Sequence, residues 1–202
     1  MPDTIALLSG GIESTTVLHR RTRSEAVAAV FVDYGQRGAA QEYAACEHQC
    51  RFLSLPLQRL DMAGVGEAFR GGRERRLHVP IPHRNLLVLS LGLSFAAERG
   101  ARRLALAVNR DDVSAYPSAS TPFLERFQAM ADTLADIELV TPLLDLDKAQ
   151  VVALGAELGV DFAHTYSCLL GYELHCGACP QCEKRRAAFR RAGITDPTVY
   201  RR

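Results

Sequence analysis

Apolar residues along the chain fall into short runs that alternate with longer segments in which they recur every three to four positions. The short runs are typical of buried strands, and the longer segments are typical of amphipathic helices. The predicted strands cover residues 4–8, 27–33, 55–60, 103–108 and 138–141. The predicted helices cover residues 14–22, 38–53, 85–99, 121–134 and 147–158. This alternation predicts an α/β fold of Rossmann-like type, in which βαβ units build a parallel sheet.

The same pattern indicates where a ligand would bind. In parallel α/β sheets, ligands bind at the carboxyl ends of the strands. We therefore expect the loops after residues 8, 33 and 108 to line one site. Segment 61–82, which is rich in glycine and arginine, interrupts the alternation. This segment is predicted to be a mobile loop, because long irregular loops in compact domains are uncommon unless they are disordered or act as lids over a site.

Length and composition limit the number of domains. With 202 residues, of which 48% are hydrophobic, the chain suits one α/β domain with a substantial core and a small appendage. We expect the domain to span residues 1–160 and the appendage to span residues 161–202, packed on it. No apolar run reaches the ~20 residues that span a bilayer, and the N-terminus lacks a signal-peptide pattern. The sequence therefore predicts a cytoplasmic protein with no membrane partner.

The charge of the chain is nearly balanced. There are 24 Lys and Arg residues and 23 Asp and Glu residues, which give a formal net charge of +1. Because basic residues that neutralise phosphates drive nucleic-acid binding, this balance provides no general attraction for a polyanion. Basic clusters at residues 70–76 and 184–191 are interpreted as solvated surface. We expect no stable nucleic-acid binding.

The run Ser9-Gly10-Gly11-Ile12-Glu13-Ser14 stands between the first predicted strand and the first predicted helix. Its two glycines allow a tight turn that leaves backbone N–H groups free, and the start of the helix carries a partial positive charge. The run matches neither a Walker loop nor a dinucleotide fingerprint. It nevertheless predicts a nucleotide-phosphate site; the alternative is a turn that binds nothing. The residues assigned to this site are Leu8, Ser9, Gly10, Gly11, Ile12, Glu13, Ser14 and Thr15.

Four of the six cysteines lie close together near the C-terminus: Cys168, Cys176, Cys179 and Cys182. Four thiolates match the closed tetrahedral set of a structural zinc site, and disulfides are not expected in a reducing compartment. A [4Fe-4S] cluster is the main alternative, because ferredoxins also chain two C-x2-C steps. A second alternative is that the four thiols bind no metal. His164 and His175 flank the cluster, and either is an alternative ligand in place of Cys168.

Several motifs occur together in a fixed order. They are LLSGGIESTTVL, VDYGQRG followed by Gln41-Glu42, PIPHRNLLVLSLGLSFAAERGA, AVNRDDVSAYP, TPLLDLDKAQVVALGAELGV, TYSC, HCGACPQCEKRRAAF and AGITDPTVY. The first motif resembles the S-G-G-x-D-S loop of the PP-loop ATP pyrophosphatases. Taken together, over nearly its whole length, the chain resembles the 7-cyano-7-deazaguanine synthase family of queuosine biosynthesis within that superfamily.

This resemblance implies an ATP-dependent ligase that forms a C–N bond. The family converts 7-carboxy-7-deazaguanine and ammonia to 7-cyano-7-deazaguanine. Adenylation activates the carboxylate, ammonia gives an amide, and a second activation at the amide oxygen drives dehydration to the nitrile. The resemblance also implies Mg²⁺ on the β- and γ-phosphates of ATP, a structural Zn²⁺, and a homodimer.

The resemblance further implies roles for polar residues outside the phosphate loop. The residues assigned to catalysis are Arg84, Lys148 and Asp112. Arg37 and Asn85 are assigned to the ATP phosphates, and Asp111, Ser114 and Tyr116 are assigned to the base. A carboxylate at 111 or 112 accepts the adjacent N–H donors of a guanine-like base, and Tyr116 stacks on it. The alternative for each cation is an ordinary surface position.

The chain departs from the family pattern at two places. Glu13 stands where the family has Asp, and Ser118-Ala119-Ser120 stands where it has Asp-Cys-Arg. These changes leave two other hypotheses open. In one, the activated carboxylate is coupled to another amine, including one on a protein acceptor, and the reaction stops at an amide. In the other, the chain is a non-enzymatic module that senses nucleotide and binds a protein or RNA partner.

Overall fold

The computed structural model describes residues 1–71 and 81–201. Within these ranges, five parallel strands form one sheet in the order β3-β2-β1-β4-β5. The strands are β1 (Thr4–Leu7), β2 (Val27–Asp33), β3 (Leu57–Asp61), β4 (Arg103–Ala105) and β5 (Glu138–Val140). Each of the five strands overlaps a predicted strand, and where the two differ, they differ only at their ends. The predicted α/β fold class is confirmed.

The helices connect the strands. They are α1 (Ile12–Arg21), α2 (Ala39–Phe52), α3 (Ala63–Arg70), α4 (Arg84–Glu98), α5 (Arg110–Ala115), α6 (Thr121–Ala131), α7 (Lys148–Glu157) and α8 (Pro180–Ala192), with 3-10 turns at Pro117–Ala119 and Phe162–His164. The predicted helices correspond to α1, α2, α4, α6 and α7, whereas α3, α5 and α8 were not predicted. Among the helices of the described ranges, none is both long enough and apolar enough to cross a membrane.

Helices cover both faces of the sheet. Successive side chains of a strand point to opposite faces, and β2 shows the result. Phe31 packs in the core formed with α1, α2, α7 and α8. Val30 and Val32 pack in the core formed with α4 and α6. Because both of their faces are buried, β1 and β2 are apolar at nearly every position, which is typical of the central strands of a parallel sheet, whereas the edge strand β3 carries exposed Gln58 and Arg59.

The strand order places a crevice at the middle of the sheet. From β1 the chain builds outward through β2 and β3, and it then returns to the other side of β1 to form β4 and β5. The loops after β1 and β4 therefore leave the sheet in opposite directions, and ligands bind at such a switch point. Residues after β1, β2 and β4 line one cleft there, as predicted for the loops after residues 8, 33 and 108.

The predicted mobile loop 61–82 is wrong in its first part, because Ala63–Arg70 forms helix α3. Gly66 allows this helix to lie directly against the β2–α2 loop: a Cβ atom at Gly66 would lie 1.9 Å from the carbonyl oxygen of Tyr34. The glycine therefore serves close packing. Residues 72–80, the rest of the predicted loop and most of the basic cluster, lie outside the described residues.

The C-terminal segment packs on the sheet domain through α8. The guanidinium group of Arg185 on α8 is fully buried. It donates to the Thr165 hydroxyl at 2.7 Å, to the Phe162 carbonyl at 2.9 Å and to the Asp196 carboxylate at 3.1 Å. Phe189 lies in the same core as the strands and α7. The division of the chain at residue 160 remains a prediction.

Candidate active site

A cleft of about 610 Å³ opens at the switch point. The predicted site residues that line it are Leu8, Ser9, Gly11, Glu13, Ser14, Arg37, Arg84, Asn85, Asp112, Tyr116 and Lys148. They come from the loops after β1, β2 and β4 and from the starts of α1, α4 and α7. Residues that are distant in the sequence thus meet around one space, which the order of the strands creates.

The predicted phosphate loop, residues 9–14, turns sharply between β1 and α1. Gly10 has a φ of +71°, and a Cβ atom there would lie 2.4 Å from the Glu42 carbonyl oxygen. Gly11 is the N-cap of α1 and has an extended backbone, and no side chain of the described residues caps the helix. The N–H groups of the first turn are therefore available for an anion. Gly10 allows the loop to pack on α2, whereas Gly11 faces the cleft.

The hydroxyls of Ser9 and Ser14 lie side by side at the loop. Their oxygens are 3.0 Å apart, and the Ser9 N–H donates to Ser14 Oγ at 3.1 Å. Ser14 is buried, so its hydroxyl holds the turn in place while the exposed Ser9 faces the cleft.

Two assigned residues of the loop have side chains that do not face the cleft. Ile12 is fully buried in the core. Thr15 is fully buried, its N–H donates to the Gly11 carbonyl, and its hydroxyl has no hydrogen-bond partner among the residues described. The first turn of α1 directs the Thr15 side chain toward the protein interior, so the assignment of Thr15 to the ligand stays a prediction that its burial does not support.

Glu13 forms an ion pair across the cleft. Its carboxylate accepts hydrogen bonds from the Lys148 ammonium and, at 3.2 Å, from the Asn109 side-chain amide. Burial raises the pKa of the Glu13 carboxyl, but the Lys148 ammonium more than offsets this effect, so that the pKa lies below its usual value. The residue that replaces the family's Asp is thus an anion held by the start of α7. No role was predicted for Asn109, which is a missed site residue.

Asp112 lies at the start of α5, in a capping box with Asn109. Its carboxylate accepts the Asn109 N–H at 3.2 Å. Burial, and then the nearby Glu13 carboxylate, raise the pKa of Asp112 above its usual value. Asp111 and Ser114 do not line the cleft: the Asp111 carboxylate accepts the backbone N–H of Lys148, and the Ser114 hydroxyl bonds to a carbonyl of α5. The predicted choice between the two acids therefore narrows to Asp112.

Arg84 begins α4 and contacts the loop after β2. It donates to the Tyr34 hydroxyl at 2.9 Å, and its guanidinium lies 5.3 Å from the centre of the Tyr34 ring. Burial, the largest effect, raises the pKa of Tyr34 to about 12, so this hydroxyl stays protonated at neutral pH. Arg37 is exposed at the cleft rim. Neither arginine forms an ion pair with an acid in the described part of the chain.

Asn85 and the altered segment 118–120 meet on the opposite wall. The Asn85 side-chain amide donates to the Ser118 carbonyl at 3.0 Å. Of the three altered residues, only Ser118 lines the cleft. Ala119 is fully buried in the core, and the Ser120 hydroxyl caps α6. A direct effect of this altered segment on the cleft is therefore limited to position 118.

The structure adds Tyr34, Gln36 and Glu42 to the cleft. The Gln36 amide donates to the Glu42 carboxylate at 2.9 Å, and burial raises the pKa of Glu42 above its usual value. All three residues lie within VDYGQRG and the Gln41-Glu42 pair that follows it, which the sequence analysis lists among the family motifs without assigning them a role.

The four C-terminal cysteines converge as predicted. The sulfur atoms of Cys168, Cys176, Cys179 and Cys182 all lie within 4.8 Å of one another. The N–H groups of Ala178 and Cys179 donate to the Cys176 sulfur at 3.4 and 3.2 Å. Burial acts to raise the pKa of the Cys176 thiol, but these N–H groups lower it to about 7. These N–H groups thus favour a thiolate at Cys176, the form that binds a metal, whereas burial raises the pKa of the Cys168 and Cys182 thiols.

Neither flanking histidine takes part in the cluster. Burial, followed by the charge of Arg185, lowers the pKa of His175 to about 4, and its Nε2 accepts the Ser167 N–H at 3.0 Å. His164 instead contacts Asp161 and His48. The structure therefore favours the four-cysteine set over the alternative in which a histidine replaces Cys168, since the Cys168 sulfur lies in the group and both imidazoles bond elsewhere.

The cysteine cluster is connected to the cleft. Cys168 and Tyr166 line the cleft as well as packing around the cluster. The Tyr166 N–H donates to the Gly10 carbonyl at 2.8 Å. A metal held by the cysteines would therefore also fix one side of the phosphate loop.

Known proteins are similar to this chain over nearly its whole length. A "7-cyano-7-deazaguanine synthase 1" from Sulfurisphaera tokodaii is 32% identical over 97% of this chain and 96% of the relative. A "7-cyano-7-deazaguanine synthase" from Paracoccus denitrificans is 36% identical over 98% of this chain and 92% of the relative. Among solved structures, NMN synthetase from Francisella tularensis has a TM-score of 0.57 and 17% identity, over 96% of this chain and 78% of that chain, and it shows the shared fold.

The family comparison agrees with these relatives. The model of the family described as "Queuosine biosynthesis protein QueC" matches residues 3–193. This range includes the phosphate loop, every cleft residue named above and the four cysteines. The chain therefore belongs to the QueC family of queuosine biosynthesis proteins.

Proposed function

We propose that this chain catalyses the ATP-dependent conversion of 7-carboxy-7-deazaguanine and ammonia to 7-cyano-7-deazaguanine. One observation carries the proposal. The phosphate loop, three basic side chains and a carboxylate with a neighbouring tyrosine face the same cleft. The basic residues are Arg37, Arg84 and Lys148. A site that must hold a triphosphate next to a purine-like acid needs both sets of groups.

ATP would bind with its β- and γ-phosphates at the phosphate loop. The Gly11 backbone, the Ser9 hydroxyl and the first turn of α1 supply neutral donors, and a helix N-terminus carries about half a positive charge. Lys148, which is paired with Glu13, and Arg37 and Arg84 supply full charges near the same space. These groups support release of pyrophosphate, because its negative charge grows as it leaves.

The donor set also fits Mg²⁺. The Lys148 ammonium already balances the charge of Glu13, so it is the charge of the triphosphate and of the departing pyrophosphate that calls for a counter-cation. Mg²⁺ is commonly held by one or two carboxylates together with substrate phosphates, and Glu13 is the acid that we propose for this contact. When bound, Mg²⁺ neutralises the triphosphate and stabilises the departing pyrophosphate.

The deazaguanine would bind on the side of the cleft formed by α5. The Asp112 carboxylate would accept two adjacent N–H donors of the base, and the Tyr116 ring, which is 46% exposed, would stack on it. Asn85 holds the Ser118 carbonyl and so positions the wall that faces the base.

The proposed reaction has two activations. A carboxylate oxygen of the substrate attacks the α-phosphorus of ATP, and pyrophosphate leaves. Ammonia then attacks the acyl carbon, loses a proton and displaces AMP, which gives a primary amide. The amide oxygen attacks a second ATP, again with release of pyrophosphate. Loss of one N–H proton gives an O-adenylated imidate, and loss of the second N–H proton together with AMP forms the C≡N bond; Arg84 stabilises the charge that develops on phosphate in both activations.

We further propose that the four cysteines hold a structural Zn²⁺. Four thiolates within 4.8 Å of one another form a closed set with no position for substrate. A [4Fe-4S] cluster, the alternative, requires the same ligands. Metal analysis of the purified protein distinguishes them.

An alternative keeps the first activation and changes the acceptor. If an amine other than ammonia attacks the adenylate, the amide carries a substituent and dehydration to a nitrile cannot follow. Ser118, which replaces the family's Asp, lines the cleft and is the observation that favours this hypothesis. The amine could belong to a small molecule or to a protein. A non-enzymatic module does not fit a member of a family of synthases.

One experiment tests these proposals together. The purified protein is incubated with ATP, Mg²⁺ and 7-carboxy-7-deazaguanine, with and without ammonium, and pyrophosphate and product mass are measured. The proposal predicts pyrophosphate release that depends on 7-carboxy-7-deazaguanine, and a product with the mass of the nitrile only when ammonium is also present. A product that stops at an amide favours the alternative. Absence of substrate-dependent pyrophosphate release contradicts both.

A further inference from the structure

A second cluster of metal-binding side chains lies outside the cleft. His48 on α2 and Asp161 and His164 around the Phe162–His164 turn place three ligand atoms within 4.8 Å of one another. None of the three lines the cleft. We propose that these residues form a surface site for a divalent transition-metal ion such as Zn²⁺.

The geometry of the cluster suits such an ion. Oδ2 of Asp161 lies 3.1 Å from His48 Nε2 and 2.7 Å from His164 Nδ1. The two rings are parallel within 5°, with centres 3.6 Å apart, and one nitrogen of each ring contacts the same carboxylate oxygen. In a tetrahedral zinc site, bond lengths of about 2.0–2.2 Å place neighbouring ligand atoms roughly 3.3 Å apart. Small outward shifts of these three atoms would therefore accommodate the ion.

Hydrogen bonds from neighbouring residues fix the positions of Asp161 and His164. The Ala163 N–H donates to Asp161 Oδ1 at 3.2 Å, which leaves Oδ2 directed at the imidazoles. The fully buried Gln49 donates to the carbonyls of Asp161 and His164 at 2.8 and 3.1 Å and contacts His19 Nε2 at 3.0 Å. Partners of this kind orient ligands and increase metal affinity. The Asp161 turn is thus fixed against α2, which carries the other histidine.

The chemistry of the donors selects the class of ion. Two imidazoles and one carboxylate favour zinc and its first-row neighbours over Mg²⁺ or Ca²⁺, which prefer oxygen ligands. The side chains are 31% (His48), 37% (Asp161) and 53% (His164) exposed. One side of the site therefore faces solvent, and a water or an external ligand would complete the coordination. The cysteine cluster, in contrast, is closed.

The test compares zinc binding by the full chain and by single variants. Wild type, His48→Ala, His164→Asn and a control, Glu47→Gln, are titrated with Zn²⁺ by calorimetry, and bound zinc is counted by native mass spectrometry. Glu47 is exposed and adjacent to His48 but is not one of the three ligands. We expect wild type and the control to bind one zinc more than either histidine variant, or to bind that zinc at least about tenfold more tightly.

Two outcomes would overturn the proposal. In the first, both histidine variants bind as many zinc ions as wild type with the same affinity. In the second, wild type binds no zinc beyond that held by the cysteines, which is measured separately in a Cys179→Ser variant. Circular dichroism and ATP turnover of each histidine variant show that the fold and the cleft are intact. Because the comparison counts zinc, its result does not depend on the proposed reaction.

Discussion

At the residue scale, the two glycines of the phosphate loop have different tasks, and alanine substitutions separate them. In Gly11→Ala, the new methyl lies 3.5 Å from Ser9 Oγ and 3.7 Å from the Tyr166 carbonyl, which are ordinary contacts. The fold should tolerate it, but the methyl faces the cleft and blocks the approach of a phosphate to the backbone. We expect ATP turnover to fall about 100-fold, the usual effect of losing one main-chain contact to an anion, with little change in the urea midpoint.

Gly10→Ala is the matched comparison. A residue with a side chain at a φ of +71° is strained by about 1–2 kcal/mol, and its Cβ atom would also lie 2.4 Å from the Glu42 carbonyl oxygen. This variant should lose stability as well as activity. Equal turnover in Gly11→Ala and wild type would remove the loop from the proposed phosphate site.

Also at the residue scale, Lys148 controls the charge state of Glu13. In Lys148→Met, burial of the carboxyl remains but the opposing ammonium is lost, so the pKa of Glu13 should rise above its usual value. Loss of a hydrogen bond between charged groups should lower the free energy of unfolding at neutral pH by about 1.5–3 kcal/mol. Urea denaturation measures this difference.

The pH dependence follows from the direction of each shift. In wild type the folded-state pKa of Glu13 is lowered, so its contribution is present above the unfolded-state pKa and is lost as pH falls through the folded-state pKa. In Lys148→Met the folded-state pKa is raised, so stability is regained as Glu13 becomes protonated. The difference in free energy of unfolding between the two proteins should therefore narrow as the pH falls from neutral toward the ordinary pKa of a glutamate. The exposed Lys184, changed to Met, is the control; a difference that does not vary with pH contradicts the assignment.

At the element scale, the sequence predicts the strands and the long helices well because their burial produces regular apolar patterns. It misses α3 because Gly64 and Gly66 resemble loop residues, although Gly66 is needed for close packing on the Tyr34 backbone. It misses α5 because six residues are too few for a periodic pattern. The sequence of α8 lacks a clear apolar period, because it contains many charged residues and its buried face includes Arg185, a residue type that is usually exposed.

The two glycines of α3 provide a test at this scale. Gly64→Ala adds a Cβ atom with nothing within 4 Å, and alanine is favoured over glycine in helices by up to about 1 kcal/mol. Gly66→Ala would place its Cβ atom 1.9 Å from the Tyr34 carbonyl oxygen, and overpacking of this kind usually destabilises by about 1–3 kcal/mol. Thermal or urea unfolding should show opposite signs for the two variants.

The same pair connects α3 to the cleft. A shift of α3 would move the loop that carries Tyr34, which contacts Arg84. Turnover should therefore fall in Gly66→Ala and not in Gly64→Ala. If both alanines increase stability, α3 does not pack on the β2–α2 loop as described.

At the scale of the whole molecule, the position of the site was predictable, but its internal contacts were not. Parallel strands and a glycine turn after the first strand place a ligand at the carboxyl edge of the sheet. The hydrogen-bond partners of the Glu13 carboxylate, by contrast, are the side chains of Lys148 and Asn109, which are far from Glu13 in the sequence. Asp112 lines the cleft and Asp111 does not, and likewise Ser118 lines it whereas Ser120 does not. These differences depend on the orientation of α5 and of the 3-10 turn that follows it. Sequence spacing does not determine that orientation.

The link between the cysteine cluster and the cleft is a property of the whole molecule. Tyr166 joins the two, because its N–H donates to the Gly10 carbonyl and its ring packs with the cysteines. We expect Cys179→Ser to release the bound metal, since removal of one ligand opens a four-thiolate site. The C-terminal segment should then unfold at a lower urea concentration, and ATP turnover should fall although Cys179 does not line the cleft.

Metal analysis, urea unfolding and pyrophosphate release measure the three effects, and Cys50→Ala is the control. Cys50 is also a buried thiol, but it lies on α2 in the sheet core, so its loss should leave the metal content unchanged. Wild-type protein that contains no metal contradicts the proposed site, and iron in place of zinc identifies the cluster as iron–sulfur. Metal loss without any change in turnover would instead show that the cysteine cluster stabilises the C-terminal segment alone, because a phosphate loop that depended on Tyr166 would respond.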